Sequence, residues 1–111
     1  GASSNDALDM LSEMKFAAMF AKSAGDPTLL PASEVFRWAT KNGAETFGID
    51  AGEIAPHKIA DAILVDMSDV RMQPCHNLLA NMVYSADRAS LRYVLCDGQI
   101  IFRQALSDLP E

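Results

Sequence analysis

The stretch from Gly52 to Asp66 constrains this chain more than any other. It reads Gly52-x-Ile54-x-x-x-Lys58-x-Ala60-Asp61, a turn of restricted chemistry, followed by the wholly apolar Ala62-Ile63-Leu64-Val65 and then Asp66. An unbroken apolar run of this length, bounded by turn residues, predicts a short, wholly apolar strand. Upstream of Gly52 the apolar residues recur at helical spacing; downstream they do not. The chain therefore divides into a helical part, residues 1–48, and a β part, residues 49–111.

The first helix is predicted over residues 7–23. It is introduced by the cap-forming cluster Ser4-Asn5-Asp6, with Asp6 and Asp9 near its positive end, and it stops near Gly25 with Pro27 beyond. Met10, Leu11, Met14, Ala17, Ala18 and Ala21 share one face of that helix. Phe16 and Phe20 lie opposite, and Leu8 with Met19 forms a third apolar strip. A surface helix normally carries one such stripe, so this helix is expected to be covered on more than one side. A second helix is predicted over 32–42, broken at Asn42-Gly43, with a further turn over 44–47 before Gly48. Its expected buried side is Val35, Phe36, Ala39 and Trp38.

Strands are predicted at 62–65, 81–84, 91–96 and 99–102. The last two flank Asp97-Gly98, residues that tolerate the positive φ of a two-residue hairpin turn. Two helices followed by strands make an α+β fold with a small antiparallel β region rather than an alternating α/β one.

Composition narrows the function. Half of the 111 residues are apolar and 22% are charged, a globular rather than a disordered balance. The net charge is −6 and the basic residues are scattered singly, which argues against a nucleic-acid partner. The longest apolar run, residues 16–21, is far short of the roughly 20 residues needed to cross a bilayer. No signal-peptide pattern is visible, so a cytoplasmic location with Cys75 and Cys96 reduced is expected.

The motifs carry a resemblance. The Gly52–Asp66 string is similar to the segment by which metal-dependent amidohydrolases of the deaminase and chlorohydrolase branch re-enter their small β-sandwich after the catalytic barrel. Ala2-Ser3-Ser4-Asn5, Glu13-Met14-Lys15, Ala39-Thr40-Lys41-Asn42-Gly43-Ala44 with Gly48, Pro74-x-His76-Asn77, Val83-Tyr84-Ser85-Ala86 and the closing Val94-to-Ile101 hairpin follow in the order of that family's C-terminal pattern. Ala2–Asn5 and Val83–Ala86 resemble deaminases of the S-adenosylhomocysteine, methylthioadenosine and 5′-deoxyadenosine group. One departure is His57, where the family commonly has Gly.

The resemblance implies that residues 1–48 are the terminal helices of a β/α barrel and residues 49–111 a sandwich segment with its closing hairpin. It also implies a hydrolase acting on a non-peptide C–N bond through a divalent metal. The chain looks like the last quarter of such an enzyme. The family's H-x-H pair, later histidines and aspartate have no counterpart here, and the last metal-binding Asp would fall just before Gly1. No catalytic, cofactor-binding or metal residue is therefore assigned, and no cofactor is expected in this chain.

Other constellations are open to bland readings. His57, Cys75, His76 and Cys96 have the atom types of a zinc site but no zinc-module spacing. Asp61 and Asp66 bracket a strand, where carboxylates bond turn amides more often than they do acid–base work. Ser4 near His57 or His76 would be a nucleophile pair without a motif. The Met- and Phe-rich first helix suits core packing better than a ligand pocket. The expected role is the C-terminal piece of an aminohydrolase, associating as a homo-oligomer through its N-terminal helices. The alternative is an independent binding or dimerisation module, and a small enzyme with a rebuilt site ranks behind both.

Overall fold

The computed structural model describes residue 3 and residues 6–105. Helix α1 runs Met10–Ser23, three residues later than the sequence suggests. The reason is Asp9, whose carboxylate accepts hydrogen bonds from the amides of Leu11 at 3.0 Å and Ser12 at 3.4 Å. Those amides have no partner within the helix, so the residue that satisfies them sets the start. Leu8, just before the cap, has left-handed φ of 46° and cannot belong to a helix. Of the expected cap cluster, Ser4 and Asn5 lie outside the described residues.

Helix α2, Ala32–Arg37, follows Pro31. It does not break at Asn42-Gly43. The chain continues through a π turn, Trp38–Asn42, directly into α3, Gly43–Phe47, and stops at Gly48 with φ of 65°. Glycine in a helix interior costs only about 1 kcal/mol, so a Gly alone does not end one; the left-handed cap at Gly48 does. Trp38, expected on the buried side, is 48% exposed, and its indole donates to Glu34 Oε1 at 2.9 Å.

The sheet is antiparallel in the order β1-β2-β3, with β1 Ala62–Val65, β2 Leu91–Cys96 and β3 Gln99–Arg103. Ile63 faces Val94, and Val94 faces Phe102; the register slips between Leu64 and Val65 and again between Val94 and Leu95. Asp97 and Gly98 have φ of 49° and 74°, the paired positive angles of a tight hairpin turn whose twist matches that of the strands. The turn is tied to the start of β1. Gly98 N–H donates to the Ala60 carbonyl at 2.9 Å and Asp97 N–H to Asp61 Oδ1 at 2.8 Å.

Residues 81–84 are not a strand. They end α4, Leu78–Tyr84, whose cap is Asn77 accepting from Ala80 N–H at 3.0 Å. A short apolar run cannot be told from a buried helical turn by periodicity alone. What decides it is the partner surface: Met82 and Val83 insert into the helical core, while the Asn81 amide donates to the Met72 carbonyl at 2.9 Å. A helix thus stands between β1 and β2, and the fold remains α+β.

The core comprises Leu11, Met14 and Ala18 of α1, Val35 of α2, Met72, and Met82 and Val83 of α4. The 11, 14, 18 spacing is the stripe expected from the wheel. The second apolar side of α1 is uncovered: Phe16 is 53%, Met19 53% and Phe20 75% exposed. Every residue of β3 is exposed as well.

Candidate functional site

Between the first turn of α1, helix α3 and one face of the sheet lies an open apolar groove of about 960 Å³, lined by Leu8, Met10, Phe36, Phe47, Ile63 and Phe102 among others. One wall of it is the loop of residues 49–54, held against the π turn by a close backbone approach. A Cβ placed on Gly52, whose φ is 86°, would stand 2.8 Å from both Lys41 Cα and the Thr40 carbonyl oxygen. Only glycine fits there. The sequence strings Ala39–Ala44 and Gly52–Asp61 are therefore contact partners.

Ions hold the same junction. Lys41 Nζ lies 3.1 Å from Glu53 Oε2, Lys58 Nζ lies 3.7 Å from Glu53 Oε1, and Lys58 also bonds Asp50. The bond from Lys41 draws the Glu53 carboxyl below its usual range, and the bond to Asp50 raises the Lys58 ammonium. These groups are solvated, so the network orients the loop more than it stabilises the fold.

Asp66, at the end of β1, accepts from Ser68 Oγ at 2.7 Å and Ser68 N–H at 2.8 Å and pairs with Arg92. The Ser68 bonds, then the guanidinium, pull its carboxyl down to about 2. Both strand-bracketing aspartates thus bond turn amides, Asp61 on the hairpin tip and Asp66 on Ser68.

The remaining candidates do not converge. His57 and His76 are exposed, and Cys75 and Cys96 are exposed free thiols. Among the described residues no three His, Cys, Asp or Glu side chains come together as metal ligands. Ser4 lies outside the described residues.

Sequence reasoning missed Arg88, which donates to the Ala7 carbonyl at 3.0 Å across 81 residues and lies 3.8 Å from Asp9 Oδ2. It also missed the buried Ser90, which closes a capping box with Asp87. The Asp-x-x-Ser spacing was a legible signal for the second; nothing local marks the first. No helix among the described residues is long and apolar enough to cross a membrane.

The chain is 49% identical over 102 residues to 5-methylthioadenosine/S-adenosylhomocysteine deaminase 1 of Archaeoglobus fulgidus, a match covering 91% of this chain and 24% of that protein. It is 47% identical over 104 residues to the 5′-deoxyadenosine deaminase of Methanothermobacter thermautotrophicus, again 24% of the relative. In structure it is similar to an adenosine deaminase from Xanthomonas campestris with bound zinc, with a TM-score of 0.86 and 39% identity, covering 94% of this chain and 24% of that one. The chain spans about a quarter of the length of these relatives. The family model described as the amidohydrolase family matches residues 1–101, and with that match the chain belongs to the amidohydrolase family.

Proposed function

We propose that this chain acts as the C-terminal region of a cytoplasmic adenosine-type aminohydrolase, carrying none of the reacting groups itself. On this reading α1 to α3 close a β/α barrel, and the sheet belongs to the adjoining β-sandwich. The metal and the residues that hold it sit on polypeptide beyond these residues, with substrates of the methylthioadenosine, S-adenosylhomocysteine or 5′-deoxyadenosine kind. One observation carries the reading: nearly the whole chain aligns with a single quarter of deaminases at 49% and 47% identity. The uncovered side of α1 supports it, because Phe16, Met19 and Phe20 are exposed and apolar side chains left in water suit a face that packs against further polypeptide.

A graft tests it. The matching quarter of the Archaeoglobus fulgidus enzyme is replaced by residues 1–105 of this chain, and ammonia release from the three nucleosides is followed beside this chain alone. Turnover by the graft and none by the chain is expected. A soluble, folded graft without turnover, or deamination by the 111-residue chain, would overturn the reading.

A second reading is favoured by the same exposed face: an independent module that dimerises through its N-terminal helices. Contiguous apolar patches usually mark an interaction surface.

A further inference from the structure

We draw no further inference here: the strongest candidate, the apolar groove between the first turn of α1, helix α3 and the sheet, with the exposed β3 edge beside it, carries nothing because no feature of the structure shows what covers it and the register slip at Val94/Leu95 blunts that edge for pairing.

Discussion

Four residues test the local physics. Gly52 combines left-handed φ with no room for a side chain, so Gly52→Ala is expected to cost about 2 kcal/mol or more, from strain plus displaced backbone. Gly25 also has positive φ, 102°, but nothing lies within 4 Å of its would-be Cβ; Gly25→Ala should cost only about 1 kcal/mol. Thermal melts of the two variants separate crowding from conformation, and equal losses would count against the close approach. His57 has φ of 67° on an exposed turn, so His57→Gly is expected to stabilise by up to about 1 kcal/mol. A lower melting temperature would mean that the imidazole contributes something the geometry does not reveal. Asp66 supplies a pH signature. Its carboxyl is held at about 2 against an ordinary 3.8, so its contribution is fully present above pH 3.8 and is lost as the pH falls toward 2. The gap in melting temperature between parent and Asp66→Asn should therefore be widest near neutrality and close across that window. A gap independent of pH would remove Ser68 and Arg92 as its cause.

At the scale of elements, the starts of α1 and α4 are set by a side-chain partner for orphan backbone amides. Asp9 starts α1 and Asn77 starts α4. Asn77→Ala should lower stability by about 1 kcal/mol, with the loss visible by far-ultraviolet circular dichroism in the same transition as the rest of the chain. The hairpin turn is the other decisive local device. Gly98→Val places a β-branched residue at φ of 74°, costing at least about 1 kcal/mol and more than Gly98→Ala; melts matching the parent would contradict the turn geometry. The hairpin was legible because Asp-Gly between alternating strands has one favourable geometry. The strand expected at 81–84 was not, because its residues suit either a strand or a helix, and Met72 and the α1 surface choose between them.

Across the described residues, apolar surface exceeds what helices α1 to α4 and one small sheet cover. Leaving Phe16, Met19 and Phe20 in water forfeits several kcal/mol at roughly 25 cal/mol per Å². The 111-residue chain alone is therefore expected to self-associate, and Phe16→Ser with Phe20→Ser to weaken that association. Sedimentation over a concentration series checks it; a 12.0 kDa species at tens of micromolar would refute it. The sequence by itself determined the α+β class, the stripe Leu11-Met14-Ala18, the left-handed positions at Asp97 and Gly98, and the kinship carried by strings such as Ala39–Ala44 and Gly52–Asp61. All of these rest on local spacing, or on which residues tolerate a given φ. Tertiary structure alone decided that residues 81–84 are helical, that the helix runs through Gly43, that Arg88 reaches Ala7, and that Gly52 lies on the π turn. Those outcomes depend on surfaces distant in the chain, and no short-range pattern encodes which distant surface will be there to pack against.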